Sequence, residues 1–311
     1  MADTTPTCLP PQAGAWLLSL TRQGRRGSEE ITRTLLAATG GELRLLLDAI
    51  DAEGDRRDLE WIVFQRLSHA QRDAVLAHIA TEATAWAPAV RVISDVDDTL
   101  LAGRNDPIFP NGTLYPGAVS FLARCGQVGV GHAPITILTA RPEGRFGVME
   151  NMWRRALAAR GVPTATMLSG SVRRALGHKA IVAGKTVNLH NLLALHPKDR
   201  LVLVGDTGQG DVALARQALD NFPDRVLAAF IHMVIPSRTT LRTDKSGIVF
   251  FSTYVEAALR ASELGLLSEA DLASVVADSS AELAGVKFRT PAKAAAARLA
   301  FDEAVEALTA R

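Results

Sequence analysis

The residues of this sequence best suited to chemistry are acidic side chains in two short segments. The first, RVISDVDDTLL, places Asp95, Asp97 and Asp98 directly after an apolar run, and the second, GDTGQGD, contains Asp206 and Asp211. Carboxylates packed together repel each other: at ~4 Å and an effective dielectric constant of ~20, each pair costs about 4 kcal/mol. A cluster of them therefore indicates a bound cation, and oxygen ligands of this kind are those that Mg²⁺ prefers.

The chain around these acids predicts strands that alternate with helices. Five short apolar runs are typical of buried parallel strands. They are VRVIS (90–94), ITIL (135–138), TATML (164–168), LVLV (201–204) and VLAAFIHMV (226–234). Helical patterns lie between them, which predicts an α/β fold: a mostly parallel sheet with helices on both faces. Ligands bind beyond the carboxyl ends of such strands, so Asp95, Thr139 and Asp206 are expected to share one site.

The regions on either side of this alternation have a helical pattern. Apolar residues recur at spacings of three and four before residue 90, where Ser68 begins a capping box, and a second capped start occurs at Ser268. We therefore predict three parts: a helical N-terminal region (1–89), an α/β catalytic domain (90–255) and a helical C-terminal extension (256–311).

Composition and charge exclude several classes of protein. The 311 residues are 48% hydrophobic with a net charge of +1, so no overall basic charge favours nucleic-acid binding. The two cysteines, Cys8 and Cys125, form no CxxC motif, which suits a reducing compartment. The sequence shows neither a secretory signal pattern nor an apolar run of membrane-spanning length. We expect a cytoplasmic protein without a transmembrane segment, which leaves peripheral binding at a membrane surface open.

The order of the motifs resembles the haloacid dehalogenase (HAD) superfamily of phosphohydrolases: DxDxT after a strand, Thr at the end of the next strand, a lysine, then GDxxxxD. More narrowly, SDVDDTL, LYPGAVSFL, LTARP, GDTGQGDVALA and FIHMV resemble the catalytic domain of the actin-patch-protein phosphatidate phosphatase family. The resemblance covers roughly residues 90–255. It implies a Rossmann-like HAD core, a phosphoric monoester hydrolase that uses Mg²⁺, and hydrolysis of phosphatidate to diacylglycerol through an aspartyl-phosphate.

The resemblance also implies a role for each motif residue. Asp95 would be the nucleophile, and Asp97 would protonate the leaving oxygen and then deprotonate the attacking water. The Asp95 and Asp206 carboxylates and the backbone carbonyl of Asp97 would bind Mg²⁺, with Asp211 nearby, directly or through water. Thr139 would hydrogen-bond a phosphoryl oxygen.

A lysine is expected to neutralise charge on the nucleophile and the phosphoryl group. Lys185 fits, because KTVNLHNLLALHP leads as one helix into the LVLVGD strand, and Lys179 is the alternative. Thr99, which closes the DxDxT motif, is a candidate for substrate binding. Asp98 stands where many superfamily members have glycine, and we expect it to act in the loop rather than in catalysis.

Basic residues are concentrated between positions 141 and 185, where acids are few. A positive rim of this kind attracts an anionic substrate or an anionic lipid surface. Arg141 is closest to the end of the second motif and is a further candidate for substrate binding. Arg154, Arg155 and Arg160 are expected on a solvated helix face instead, and the histidines, none of which has metal-ligand spacing with another, are expected to be structural or on the surface.

The segments between the motifs bear on the size of the substrate. The loop LLAGRNDPIFPNGTLY (100–115) resembles the flap of these enzymes, and its Ile108, Phe109 and Leu114 either pack on the flanking helices or touch an acyl chain. The intervals between motifs leave room for at most a minimal cap, so the site is expected to be open, as suits a bulky or interfacial substrate.

Other functions stay open at this point. They are a HAD phosphatase that acts on a soluble phosphomonoester or a phosphoprotein, a dehalogenase, and a catalytically silent module that binds a lipid or a phosphate group. Asp97 argues against the dehalogenase, because that reaction needs no acid for its leaving group. The same residue favours turnover over a stable phospho-aspartate.

Overall fold

The computed structural model describes most of the chain. The described residues are 12–53, 57–104, 106–125, 135–142, 148–162, 164–170, 178–208, 210–234 and 241–309. Within these ranges, side chains are described except at 140–142, 148–150, 164–165, 169–170 and 178–179.

The described residues form one seven-stranded sheet. Its strands are β1 (Val90–Ser94), β2 (Ile135–Pro142), β3 (Thr164–Gly170), β4 (Arg200–Asp206), β5 (Val226–His232), β6 (Arg242–Thr243) and β7 (Ile248–Phe251). The spatial order is β3-β2-β1-β4-β5-β7-β6, and all neighbours are parallel except β6 and β7. The α/β fold and the five strands predicted from apolar runs are confirmed.

Helices surround the sheet and precede it. They are α1 (Ala13–Leu20), α2 (Gly24–Ala37), α3 (Gly40–Ala52), α4 (Leu59–Trp61, continued by a π-helical turn, Ile62–Arg66), α5 (His69–Glu82), α6 (Ala118–Arg124), α7 (Val148–Ala158), α8 (His178–Leu195), α9 (Asp211–Asn221), α10 (Tyr254–Glu263), α11 (Glu269–Gly285) and α12 (Pro291–Thr309). Capping boxes at Ser68 and Ser268 begin α5 and α11, as the sequence predicted.

Two apolar layers cover the two faces of the sheet. Successive strand residues point to opposite faces, so Val92 packs in one layer with Phe121 and Tyr254, which belong to α6 and α10. Ile93 packs in the other layer with Leu214 of α9. The helices therefore fix the sheet from both sides and leave the ends of the strands free for chemistry.

The strand order places a switch point between β1 and β4. The chain runs from β1 outward through β2 and β3, and then returns to β4 on the other side of β1. Because the connections on the two sides of such a point diverge, a crevice forms beyond the carboxyl ends of the two central strands. The loops that follow Ser94 and Asp206 meet there.

The N-terminal helices have an apolar core of their own. Leu17, Ile31 and Ile50, from α1, α2 and α3, are fully buried in it, and Leu195 at the end of α8 joins the same cluster. This layer therefore packs near the amino ends of the strands, because α8 leads directly into the start of β4.

A buried charge network ties this region to the sheet. Arg91 of β1 donates from Nε to Asp199 Oδ2 (2.9 Å) and from Nη2 to His196 Nδ1 (3.2 Å). Arg44 of α3 donates from Nη1 to the other oxygen of Asp199 (2.8 Å). Neither Arg91 nor Asp199 has any solvent exposure. The network lies at the edge of the sheet opposite the crevice, because Arg91 and Asp199 sit at the starts of β1 and β4.

Arg154 corrects one expectation from the sequence. It is buried and pairs with Asp58 at 3.0 Å, so it joins α7 to the N-terminal helices instead of facing solvent. Its neighbours Arg155 and Arg160 are exposed, as expected. The difference arises because a charge pattern on one helix does not reveal which partner helix covers it.

Candidate active site

The loop after β1 places Asp95 at the floor of the crevice. Its backbone N–H donates to the carbonyl of Val204 in β4 (3.0 Å), which continues the sheet pairing by one residue, and the residue is 3% exposed. The chain then turns through Asp98, whose φ of 56° lies in the left-handed region. The Asp98 carboxylate accepts a hydrogen bond from the N–H of Gly103 (2.8 Å). Asp98 therefore stabilises the loop, as the sequence predicted.

The loop after β4 brings Asp206 and Asp211 together. A Cβ on Gly205 would lie 2.5 Å from the Cβ of Asp211, so only glycine allows this approach. Gly210 has a φ of 92° and caps α9, which places Asp211 in the first turn, where a negative charge is favoured by the helix dipole. The N–H of Asp206 donates to Asp211 Oδ2 (3.3 Å). The glycine-rich spacing therefore serves to fold one carboxylate back onto the other.

Lys185 reaches the same crevice from α8. Its Nζ lies 2.5 Å from Asp211 Oδ1 and 3.3 Å from Asp95 Oδ1, and the side chain is 2% exposed. Burial opposes its charge, but the carboxylates of Asp95 and Asp211 outweigh burial and raise the pKa of Lys185. The structure thus holds a charged ammonium between two acids. The side chain of Lys179 lies outside the described residues.

Three carboxylates form a cluster that fits a metal ion. One oxygen from each of Asp95, Asp206 and Asp211 lies within 4.8 Å of the others. Burial raises the pKa of Asp95 to about 8, although Lys185 opposes the shift, and burial together with Asp211 raises the pKa of Asp206 to about 7. Without a further cation these acids hold protons near neutral pH.

The unpaired oxygens of the cluster support the same conclusion. Among the described residues, Asp95 Oδ2 and Asp206 Oδ2 are buried and accept no hydrogen bond, and Asp95 Oδ1 has only the 3.3 Å ion pair with Lys185. Both oxygens of Asp211, in contrast, accept hydrogen bonds, from Lys185 and from the backbone. Buried, unpartnered carboxylate oxygens are the ligands that Mg²⁺ takes. The residues present fit a divalent cation held by Asp95 and Asp206.

The other predicted site residues lie at the same edge. Asp97 is half-buried in the loop after β1. Thr139 is buried in β2, two residues beyond Ile137, which pairs with Ser94 at the end of β1. Thr99 is buried, and its hydroxyl has no hydrogen-bond partner among the described residues. The side chain of Arg141 lies outside the described residues.

His232 is a residue of this edge that the sequence analysis did not assign to the site. It pairs with Asp206 across β4 and β5. Its Nδ1 lies 2.6 Å from the carbonyl of Asp98, and since a carbonyl only accepts, the ring nitrogen donates. Burial lowers the pKa of His232, which favours the neutral ring. His232 therefore supports the loop that carries Asp95 and Asp97, and its place at the end of a predicted strand was the available signal.

The approach to the crevice is bounded by the flap. The two described parts of the flap, 100–104 and 106–115, run back along each other, with the N–H of Ala102 donating to the carbonyl of Thr113 (2.8 Å). Phe109 packs against Tyr115 and Phe288, so the flap is fixed to the C-terminal helices. Between Thr139 and Lys185, the described residues belong to β2, α7 and the turn that follows it, β3 and α8.

Metal binding at this cluster is expected to stabilise the protein most at high pH. The pKa values of Asp95 and Asp206 are raised in the metal-free fold, so the folded state binds protons more tightly than the unfolded chain. Their contribution to the free energy of unfolding is therefore lost as pH rises from about 4 to about 8. Mg²⁺ competes with these protons, so we expect it to raise the melting temperature more at pH 8 than at pH 5.5.

Calorimetry with and without Mg²⁺ tests this expectation. A ligand at 100 times its Kd stabilises the folded state by about 2.7 kcal/mol. Asp206→Asn should abolish the stabilisation, whereas Asp220→Asn, which changes an exposed acid at the far end of the same helix as Asp211, should retain it. Metal binding at this cluster would be contradicted if Mg²⁺ raised the melting temperature equally at both pH values, or if it raised that of Asp206→Asn as much as that of wild type.

One family of known proteins matches the chain. Residues 115–233 match the model of the family described as phosphatidate phosphatase APP1, catalytic domain. The matched segment is less than half of the chain, begins after the DVDDT motif, and includes Thr139, Lys185, Asp206 and Asp211. No curated protein and no solved structure matches. The match confirms the resemblance inferred from the motifs and the expected enzyme class, a phosphoric monoester hydrolase.

Proposed function

We propose, on the premise that residues 115–233 are a catalytic segment of the phosphatidate phosphatase family, that this protein is a Mg²⁺-dependent phosphatase that acts through an aspartyl-phosphate on Asp95. Its proposed reaction is the hydrolysis of phosphatidate to diacylglycerol and inorganic phosphate. The observation that carries the proposal is the cluster in which Lys185 lies between Asp95 and Asp211, at the carboxyl ends of the two central strands.

The first half of the reaction transfers the phosphoryl group to the protein. A carboxylate oxygen of Asp95 attacks phosphorus, and the bond from phosphorus to the glycerol oxygen breaks. Asp97 donates its proton to that oxygen, which leaves as the hydroxyl of diacylglycerol. Asp97 is suited to this role because it is half-buried, two residues from the nucleophile on the same loop.

The second half releases phosphate. Asp97, now a carboxylate, accepts a proton from a water molecule as its oxygen attacks phosphorus, and the bond to Asp95 breaks. The carboxylate of Asp95 and the carboxyl of Asp97 are thereby restored. One residue serves as acid and then as base, so each turnover consumes one water and leaves the protein unchanged.

The remaining residues balance charge and hold the phosphoryl group. Lys185 neutralises charge at Asp95, and the hydroxyls of Thr139 and Thr99 are proposed to donate to phosphoryl oxygens. Mg²⁺, held by Asp95 and Asp206, would supply electrostatic stabilisation of the transferred group. Both carboxylate oxygens of Asp211 are engaged by the protein, so its role is to position Lys185 and the loop after β4.

The location of the protein follows from this substrate. We propose that it is cytoplasmic and binds the membrane surface peripherally, where phosphatidate is found. In the part of the chain that the structure describes, no helix has the length and apolar character needed to cross a bilayer.

Phosphate release from a panel of substrates tests the function. The panel contains phosphatidate in mixed micelles, soluble phosphomonoesters and phosphoproteins, each with Mg²⁺ and with a chelator. We expect release that depends on Mg²⁺, is lost with the chelator, returns when Mg²⁺ is restored, and is greatest with phosphatidate. Preference for a soluble phosphomonoester would show that phosphatidate is not the substrate. If the folded protein released phosphate from no member of the panel, it would be a module that binds a phosphate group or a lipid without turnover.

A further inference from the structure

An apolar groove lies between the flap and the C-terminal helices. It is a narrow cleft, open to solvent, with about 50 Å³ of space that the centre of a water molecule can reach, and its lining is mainly apolar. Its apolar walls include Ile108, Phe109, Met233, Val255, Ala300 and Phe301. One wall is α12, which lies outside the segment that matches the family. We call this space the flap groove.

The flap groove adjoins the candidate active site. Two of its lining residues, His232 and Tyr254, hydrogen-bond the carbonyls of Asp98 and Thr99, at 2.6 and 2.8 Å. His232 also pairs in register with Asp206, and neighbouring strands lie about 4.8 Å apart. The groove and the acidic cluster therefore lie side by side at the same edge of the sheet.

The flap wall of the groove is fixed before any ligand binds. Asp106 Oδ1 accepts hydrogen bonds from the N–H groups of Ile108 (2.7 Å) and Phe109 (2.6 Å), and its Oδ2 accepts one from the Tyr115 hydroxyl (2.6 Å). Phe109 in turn packs against Phe288, between α11 and α12. A wall ordered in this way loses little further entropy on binding, which favours affinity.

The lining also contains polar side chains, two of which carry buried hydroxyl groups. Ser252 and Ser279 line the groove, and their Oγ atoms are buried without a hydrogen-bond partner among the described residues. A buried hydroxyl without a partner is costly. A ligand that is mainly hydrocarbon but carries an occasional acceptor oxygen, as an ester-linked chain does, matches both the apolar walls and these two donors.

We infer that the flap groove binds a hydrocarbon chain of an amphiphilic phosphomonoester while its phosphate lies at the acidic cluster. The inference rests on the proposed function and extends it, since it identifies the part of the protein that would distinguish a lipid phosphate from a soluble one. Chain recognition would come from α10, α11, α12 and the flap, and phosphate recognition from the loops after β1 and β4.

Filling the groove tests the inference. Ala300→Trp places a large side chain at a half-buried lining position, and Ala295→Trp places the same side chain on the exposed face of α12, about 140° around the helix. The ratio of kcat/KM for dioctanoyl phosphatidate to that for glycerol 3-phosphate is measured below the critical micelle concentration. We expect this ratio to fall roughly tenfold or more in Ala300→Trp, equivalent to lost burial of about two methylene groups. It should not change in Ala295→Trp.

A binding measurement separates failure of this inference from failure of the proposed function. Decyl phosphonate, which cannot be hydrolysed, is titrated calorimetrically into each variant with Mg²⁺ present, and Ala300→Leu serves as a smaller replacement should the tryptophan variant not fold. Weaker binding of decyl phosphonate to the Ala300 variants alone supports the groove, even when no substrate is turned over. Equal binding and equal kcat/KM ratios in all variants would overturn the inference and leave the proposed phosphatase chemistry intact.

Discussion

Asp95→Asn is expected to lower Mg²⁺-dependent phosphate release by a factor on the order of 10⁴ or more, the scale on which removal of a nucleophile acts. An amide oxygen does not attack phosphorus effectively, and the substitution also removes one proposed ligand of the metal. The fold should survive, because Asp95 is one of three mutually repelling carboxylates in the metal-free protein. Thermal denaturation of the variant checks that it is folded.

Acid quenching and mass spectrometry of peptides test the same prediction directly. Wild-type protein quenched during turnover should carry a phosphoryl group on the peptide that contains Asp95, and Asp95→Asn should carry none. Asp97→Asn keeps the nucleophile but loses both the acid of the first half and the base of the second, so formation and hydrolysis of the aspartyl-phosphate should both slow. Asp220→Asn, an exposed acid on α9, is the matched control and should behave as wild type. Activity of Asp95→Asn within tenfold of wild type would refute the mechanism.

Asp199→Asn is expected to lower the free energy of unfolding by about 3–5 kcal/mol, the cost of leaving one partner of a buried ion pair without the other. Asp199 accepts hydrogen bonds from Arg91 and Arg44, and neither Arg91 nor Asp199 is exposed. An unpaired Arg91 would remain buried next to His196. Urea or guanidinium denaturation of wild type and variant measures the difference.

The stabilisation by Asp199 is expected to depend on pH in a definite direction. Burial alone would raise the pKa of Asp199, but Arg91, His196 and Arg44 outweigh it and the pKa is lowered. A carboxyl whose pKa is lowered in the folded state stabilises the fold at pH values above its unfolded pKa of 3.8. This contribution is lost as the pH falls through the pKa of the folded state. The difference between wild type and Asp199→Asn should therefore persist at neutral pH and shrink in acid.

Two further variants serve as controls for this prediction. Asp48 is the other partner of Arg44, and its side chain is 32% exposed. Asp48→Asn should therefore lower the free energy of unfolding by only about 0–1 kcal/mol. Arg91→Met combined with Asp199→Asn should cost less than the sum of the single substitutions, because the two groups interact directly. A loss below about 1 kcal/mol in Asp199→Asn would show that the network does not hold the N-terminal helices to the sheet.

Much of the candidate site follows from the sequence because it depends on local patterns. Apolar runs locate β1 and β4, and the carboxyl ends of parallel strands share an edge, so Asp95 and Asp206 are expected to meet. Lys185 is preferred to Lys179 because the helical segment that begins there leads directly into the LVLVGD strand. The structure places Lys185 at the cluster.

The features that the sequence did not predict depend on partners far along the chain. The strand β7 pairs in parallel with β5 but follows the short strand β6 along the chain, so the alternation of strands and helices does not predict it. The burial of Arg154 depends on Asp58, and the flap groove depends on α12 packing beside the flap. No window of sequence contains both sides of these contacts.

The hydrogen bond from Tyr254 to the carbonyl of Thr99 spans 155 residues of chain. His232 likewise contacts the carbonyl of Asp98. The loop that bears the proposed nucleophile is therefore held by residues that are synthesised much later. During synthesis, the early strands and their acids emerge before the side chains that hold this loop in place. The catalytic arrangement is therefore completed late, after α10 has packed on the sheet, and a nascent chain that ends at residue 233 would lack the Tyr254 half of this support.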